Sequence, residues 1–182
     1  HGSGGLDWGR ILFEQHAKML ARRGHIACIL HYFQSTETEK SDKNISELNF
    51  PVWLTTISEA ITFISKEPKV DPNRIGLIGF SLGAFLALAL ATIDTRIKAV
   101  VDVFGGLPPT QQITALPPTL ILHGAADEIV PVEEAYKLET VLKTKNLPYK
   151  ISIYPDQGHQ FIGKSGKDAL LKTLSFLDEV LK

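Results

Sequence analysis

The sequence contains a single cysteine and no excess of charge of either sign. Cys28, within the apolar run HIACIL, has no second cysteine among the 182 residues, so the chain can form no internal disulfide. We interpret Cys28 as a packing residue, because a free cysteine behaves as a small hydrophobe. Lys and Arg number 19 against 20 Asp and Glu, and these charges are scattered. We therefore expect no nucleic-acid or anionic membrane partner, and instead a small neutral or mildly charged molecule.

Long hydrophobic runs and metal-binding patterns are also lacking. The longest apolar stretch, AFLALALA at residues 84–91, is too short to cross a bilayer. None of the six histidines belongs to an H-E-x-x-H motif or a comparable cluster, so we expect no metal site. We assign surface, packing or structural places to four of them: His16, His25, His31 and His123. We further expect a cytoplasmic protein without a membrane span.

Short apolar runs alternate with helical patterns along the whole chain. The predicted strands are residues 25–32, 74–80, 97–104, 119–123 and 149–154, and the predicted helices are residues 8–23, 53–66, 82–93, 132–145 and 167–181. Runs that are apolar on both faces are typical of parallel strands covered by helices. The sequence thus predicts a doubly wound α/β sheet in one domain spanning residues 1–182. Residues 35–47 are expected to be a surface loop, and the segment between Phe104 and Thr119 is too short for a lid domain.

The pentapeptide Gly79-Phe80-Ser81-Leu82-Gly83 matches the pattern G-x-S-x-G. It directly follows the predicted strand RIGLIGF and directly precedes the helical run LGAFLALALATI. On so tight a strand-to-helix turn a serine projects its hydroxyl above the sheet, and side chains at the two flanking positions would collide with backbone. We therefore interpret Ser81 as the nucleophile of a nucleophile elbow.

A serine hydroxyl needs a base within hydrogen-bond reach and an acid that orients the base. His159 lies in the glycine-bearing loop PDQGHQF after the last predicted strand, and we predict that it is the general base. Asp127, Glu128 and Asp156 are candidates for the acid. We prefer Asp127, because it follows the strand TLILH in the loop that leads to the next helix, whereas Asp156 is close enough to His159 to be only a turn former.

The chain order Ser81, Asp127, His159 is the order expected of α/β-hydrolases. The sequence resembles the dienelactone hydrolase-like branch of the α/β-hydrolase superfamily over nearly its whole length. The resemblance rests on HGSGG at residues 1–5, VDPNRIGLIGFSLGA around the serine, LILHGAADEIVP around the acid and YPDQGHQF around the histidine. It implies an α/β-hydrolase fold, a Ser81/Asp127/His159 triad, no cofactor, and activity on esters or related acyl compounds. The name-giving enzymes carry a cysteine nucleophile, so Ser81 fits a general carboxylesterase better.

The glycine-rich opening is interpreted as half of an oxyanion hole, with the backbone NH of Ser3 and that of Leu82 as its two donors. In this fold such a loop follows a strand, so we expect strands before His1 that this chain lacks. The predicted function is hydrolysis of a small soluble ester through an acyl-enzyme. The alternatives are a prolyl oligopeptidase-like peptidase, a non-catalytic binding module on the same fold, or a fragment that is inactive alone.

Overall fold

The computed structural model describes residues 1–108 and 113–182. These residues form two compact units, 1–72 and 73–182. The single domain expected from the sequence stays a prediction. Within the described residues no helix combines the length and the apolarity that crossing a bilayer requires.

The described residues of the second unit form a sheet of four parallel strands, which lie side by side in their order along the chain. The elements follow one another as β1 (Ile75–Phe80), α3 (Leu82–Ala91), β2 (Ile97–Val103), β3 (Thr119–Gly124), α4 (Glu133–Thr144), β4 (Tyr149–Tyr154) and α5 (Gly163–Leu181). In this unit four of the predicted strands and three of the predicted helices are therefore confirmed, and in the first unit a helix over Gly5–Arg22 confirms the one predicted at residues 8–23. All carboxyl ends of the strands meet at one edge of the sheet, which is where open α/β sheets hold their ligands.

Helices cover both faces of this sheet. A Cβ on Gly76 would press against Leu177 and Leu181 of α5, whereas a Cβ on Gly79 would overlap Ala84 of α3. Positions three apart in a strand point to opposite faces, so α3 and α5 lie on opposite sides. The helix α3 is apolar all round, and apart from the partly exposed Phe85 it is buried from Gly83 to Ala91, as expected for a helix in the interior of the unit. The predicted doubly wound architecture is thus confirmed in this unit.

The first unit holds α1 (Gly5–Arg22), a 3₁₀ helix (Tyr32–Thr36) and α2 (Lys43–Ile64). Its core is aromatic: the ring of Trp53 packs against Phe33 with 4.6 Å between ring centroids, and its Nε1 donates a hydrogen bond to Thr36 Oγ1 at 2.8 Å. The Tyr32 hydroxyl donates to the carbonyl oxygen of His1 at 2.6 Å, and the two rings stack. These contacts tie the start of the chain to the 3₁₀ helix.

The strand predicted at residues 25–32 is wrong. Residues 25–31 have no regular secondary structure, and none of them pairs with a strand in the part of the chain that is described. A run of apolar residues becomes a strand only when a neighbouring strand satisfies its NH and C=O groups. Cys28 in this segment is exposed, so its assignment as a packing residue is also wrong.

The helix predicted to begin at residue 53 begins ten residues earlier. α2 starts at Lys43, because the Asp42 side chain caps it by accepting the Ile45 NH at 2.9 Å, and Pro51 lies inside the helix. The second part of the loop expected at residues 35–47 is therefore helical. The prediction that no lid follows Phe104 concerns a segment in which residues 109–112 lie outside the described residues.

Candidate active site

Ser81 lies at the tight turn between β1 and α3, with φ 53° and ψ −121°. This positive φ is unusual for a residue with a side chain, and it directs the hydroxyl away from the strand. The Ser81 NH donates to the carbonyl oxygen of Val103 at 2.8 Å, which anchors the turn to the end of β2. A Cβ on Gly79 would overlap the carbonyl oxygen of Gly83, so only glycine lets strand and helix approach this closely.

The Ser81 hydroxyl is hydrogen-bonded to a histidine from a distant part of the chain. His159 Nε2 lies 2.9 Å from Ser81 Oγ, although 78 positions separate the two residues in the sequence. The His159 side chain is 15% exposed, so solvent and small molecules reach one side of it. This geometry allows the imidazole to take the hydroxyl proton.

The other ring nitrogen of His159 faces the carboxylate of Asp127. His159 Nδ1 lies 2.7 Å from Asp127 Oδ2, and a carboxylate oxygen only accepts, so Nδ1 carries the proton of the neutral imidazole. Nε2 is then left as the acceptor for the Ser81 hydroxyl. The structure thus brings Ser81, His159 and Asp127 together in one chain of hydrogen bonds.

Asp127 is held at both oxygens. Its side chain has no exposed surface, and Oδ1 accepts the backbone NH groups of Ile129 and Val130, each at 2.9 Å. This is the turn that aspartate often forms with the backbone two and three residues on. Hydrogen bonds from backbone NH groups stabilise the charged form of a buried carboxyl group.

Backbone contacts between neighbouring loops bring Asp127 and His159 together. β3 and β4 pair directly, and beyond their ends Ala125 NH donates to Tyr154 O and Ala126 NH to Gln157 O, both at 2.9 Å. A Cβ on Gly124 would overlap the carbonyl oxygens of Gln157 and Gly158. The glycine after the strand TLILH is therefore what allows the two loops to pack this closely.

A chain of three aromatic rings begins at the histidine. The Phe104 ring centroid is 5.1 Å from that of His159 and 4.3 Å from that of Phe161, and Phe161 in turn packs on Tyr154. Phe104 itself has φ 57°, at the sharp turn after β2. Phe104 is not recognisable as a site residue from the sequence, because an aromatic residue at a strand end carries no signal of the site it will face.

His123 has the structural place at a strand end that is expected from the sequence, but its partners are not visible in the local pattern. It is fully buried at the end of β3, where Nε2 lies 2.8 Å from the carbonyl oxygen of Val130 and 3.5 Å from Asp127 Oδ2. The contact between His123 and Val130 depends on the turn that Asp127 forms with the backbone. The sequence HGAADEIVP therefore does not reveal this contact unless that turn is already known.

The remaining candidates lie elsewhere. Glu128 and Asp156, the other acids considered, are exposed, and Asp127 alone of the three contacts His159. Leu82 opens α3 directly after Ser81. Ser3 lies in the first unit, in the turn before α1, where its carbonyl oxygen accepts the Ser41 NH at 2.9 Å. Within the described residues no group of three or more His, Cys, Asp or Glu is arranged to hold a metal ion.

Comparison with known proteins points to one family. The dienelactone hydrolase family model matches residues 8–179. A carboxymethylenebutenolidase homolog of Xenopus tropicalis is 25% identical over 175 residues, which covers 91% of this chain and 70% of that protein. A crystal structure from Klebsiella pneumoniae, assigned as a dienelactone hydrolase, superposes with a TM-score of 0.77 at 19% identity over 98% of this chain and 84% of that one. A Bacillus cereus carboxylesterase gives a TM-score of 0.62 at 24% identity, covering 73% of this chain and 62% of that one. These likenesses establish the α/β-hydrolase fold.

Proposed function

The chain belongs to the dienelactone hydrolase family, a family of hydrolases with the α/β fold, and from that membership we propose that it is a serine hydrolase that cleaves small carboxylic esters. The single observation that carries this proposal is the continuous hydrogen-bonded chain from Ser81 Oγ through the His159 ring to Asp127 Oδ2, with links of 2.9 and 2.7 Å. Three such groups, in this order, are what an otherwise unreactive hydroxyl needs to attack a carbonyl carbon.

In the proposed reaction Ser81 Oγ attacks the acyl carbon while its proton passes to His159 Nε2. The imidazolium that forms is stabilised by the Asp127 carboxylate, which stays ionised. The bond from the acyl carbon to the alcohol oxygen then breaks, and His159 gives its proton to the departing alcohol. Water repeats the sequence on the acyl-enzyme, with His159 taking a proton from water and returning it to Ser81, and the carboxylic acid is released.

The negative oxygen of the tetrahedral intermediate needs donors that are already in place. Leu82 is the first residue of α3, so its NH belongs to the first turn, whose NH groups have no acceptor within the helix. The positive end of the helix dipole lies at the same point and favours an anion there. The Leu82 NH is therefore our first donor, and the sequence-based prediction that the Ser3 NH supplies the second is kept as part of this proposal.

The proposed partner is a small ester, and none of the steps above calls for a metal or a cofactor. Phe104 packs beside His159, and an aromatic neighbour suits an acyl or alcohol group with apolar surface. A cytoplasmic location stays a prediction from the sequence.

The test is covalent labelling of the purified protein with a fluorophosphonate, together with hydrolysis of short-chain p-nitrophenyl esters. We expect one adduct on Ser81, and a loss of turnover of at least about 10³-fold in Ser81→Ala. Ser175→Ala, which changes an exposed serine of α5, serves as the matched control and should keep full activity. Labelling at another residue, or equal ester turnover by wild type and Ser81→Ala, would contradict the proposal. Turnover of peptides alone would favour the peptidase alternative.

A further inference from the structure

His123 is a buried histidine that the proposed reaction does not use. Its Nε2 lies 2.8 Å from the carbonyl oxygen of Val130, and its side chain has no exposed surface. Because a carbonyl oxygen only accepts hydrogen bonds, Nε2 must carry the proton. The tautomer of His123 is therefore set by Val130.

Val130 is also a residue that holds the acid. The Val130 NH donates to Asp127 Oδ1 at 2.9 Å, while its carbonyl oxygen accepts from His123. One residue thus connects the end of β3 to the carboxylate of the loop that follows. A movement of Val130 that breaks its bond to His123 would also move the NH group that holds Asp127 Oδ1.

The same nitrogen faces the reactive side of the carboxylate. His123 Nε2 lies 3.5 Å from Asp127 Oδ2, the oxygen that accepts from His159 Nδ1 at 2.7 Å. At 3.5 Å this is an electrostatic contact rather than a hydrogen bond. The Nε2 proton is directed at the Val130 carbonyl, so His123 acts on Asp127 mainly through Val130.

His123 acts there as a neutral group. Burial lowers the pKa of its imidazole, and the nearby His159 lowers it further, whereas the Val130 carbonyl, Asp127 and Glu134 raise it less. A neutral His123 does not cancel the charge of the carboxylate. The charge of Asp127 therefore remains available to the imidazolium that forms on His159.

Packing alone does not account for a histidine here. Within the described residues, His123 Nδ1 is buried and has no hydrogen-bond partner. A buried polar atom without a partner costs stability, and an apolar side chain of similar size would avoid that cost. We infer that the hydrogen bond of Nε2 outweighs the cost of leaving Nδ1 without a partner.

We propose that His123 is a positioning residue, which through Val130 keeps the Asp127 carboxylate directed at His159. The inference rests on the proposed function, because it assigns a supporting part to a residue outside the three that react. His123 does not touch the reacting atoms, and its effect passes through the loop of Asp127.

The test compares His123→Phe, which keeps a ring but loses the donor, with His123→Gln, whose amide can still reach the Val130 carbonyl. We expect His123→Phe to lower kcat about tenfold, the equivalent of one lost hydrogen bond, with little change in KM. The acid limb of kcat/KM, which reports His159, should move to lower pH, because a misdirected carboxylate stabilises the imidazolium less. His123→Gln should recover most of the lost kcat and most of the shift in the acid limb. His123→Asn, too short to reach Val130, takes the place of His123→Phe if that variant does not fold.

A readout without turnover separates this inference from the proposed function. The proton shared by His159 Nδ1 and Asp127 gives a low-field proton resonance in the wild type, and we expect that signal to weaken or move in His123→Phe and to return in His123→Gln. An unchanged resonance and an unchanged acid limb in His123→Phe would overturn the inference, whatever the activity. If the wild type hydrolyses no ester, the proposed function fails; the positioning role of His123 is then supported only if the resonance changes in His123→Phe and returns in His123→Gln.

Discussion

At the scale of single residues, Asp127 is the group on which the candidate site depends most. Both of its oxygens are engaged: Oδ1 by two backbone NH groups and Oδ2 by His159. The carboxylate is also wholly buried, so water does not replace any of these donors. Its orientation is thus determined by the fold and not by the substrate.

Replacing this acid by an amide tests its role. In Asp127→Asn the side chain keeps its size, but its charge is lost and its NH₂ group can face His159 Nδ1, which favours the wrong tautomer of the imidazole. We expect kcat for ester hydrolysis to fall by about 10³- to 10⁴-fold with the fold intact. Glu128→Gln and Asp156→Asn, at the two exposed acids considered from sequence, are the matched controls and should keep wild-type kcat. A greater loss in either control than in Asp127→Asn would show that the wrong acid has been chosen.

At the scale of elements, the turn between β1 and α3 combines backbone strain with close packing. Ser81 has φ 53° and ψ −121°, a conformation that L residues adopt at a cost of about 1 to 3 kcal/mol. The bond from its NH to Val103 and the tight approach at Gly79 hold it there. Strand, turn and helix thus hold the hydroxyl in place before any substrate binds.

Comparison of Ser81→Gly with Ser81→Ala measures that strain. Both variants lose the hydroxyl and should be inactive, but glycine adopts positive φ without the steric cost that alanine shares with serine. Part of the gain is offset by the greater freedom of glycine in the unfolded chain. We expect Ser81→Gly to be about 1 kcal/mol more stable than Ser81→Ala in urea denaturation. Equal midpoints would mean that the turn stores no strain.

At the scale of the whole molecule, a buried carboxyl group in β2 makes stability depend on pH. Asp102 is fully buried opposite Gly79, and in the described part of the chain neither of its side-chain oxygens makes a well-formed hydrogen bond. Burial raises the pKa of this carboxyl group to about 7, and the nearby NH of Gly105 offsets only part of that rise. The folded protein therefore holds a proton that the unfolded chain releases well below neutral pH.

The sign of the effect follows from this proton. Between the unfolded pKa, near 3.8, and the folded pKa, about 7, the folded state binds more protons, so the free energy of unfolding falls as the pH rises. The loss levels off above pH 7, at up to about 4 kcal/mol for a shift of this size. Below the unfolded pKa the Asp102 carboxyl group is protonated in both the folded and the unfolded state, so it costs no stability there.

Asp102→Asn removes this dependence. We expect the variant to gain stability relative to the wild type as the pH rises from about 4 to 7, up to the amount that Asp102 costs. Urea denaturation at closely spaced pH values measures the difference, with the exposed Asp156→Asn as a control for the loss of one negative charge. A difference between Asp102→Asn and wild type that is the same at pH 4 and pH 7 would show that Asp102 ionises normally.

Much of this protein was predictable from local sequence patterns. The four strands of the sheet are short apolar runs, and the helices between them have either an apolar stripe or, in α3, apolar residues all round. The elbow around Ser81 follows from glycines at two positions and from the strand and helix on either side. The resemblance to the dienelactone hydrolase family, drawn from four short motifs, is confirmed by the family match over residues 8–179.

The errors have a common physical cause. Residues 25–32 are apolar enough for a strand, but strand formation depends on a partner that a local pattern does not reveal. α2 begins at Lys43 because one capping carboxylate outweighs a polar composition and an internal proline. The structural place expected for His123 agrees with its burial, but its partner Val130 lies seven positions away and meets it only when the Asp127 turn closes.

The sequence by itself determined the order of elements in the sheet-bearing unit and the chemical character of the three side chains, since both depend on residue types and short-range spacing. Only the tertiary structure decided which nitrogen of His159 faces which partner, which of three acids meets it, and what holds that acid in place. These outcomes depend on loops from neighbouring strands packing at the same sheet edge, where Gly124 admits the backbone of the histidine loop. Distances of 2.7 and 2.9 Å between residues 32 and 78 positions apart are a property of that packing, and no local pattern encodes them.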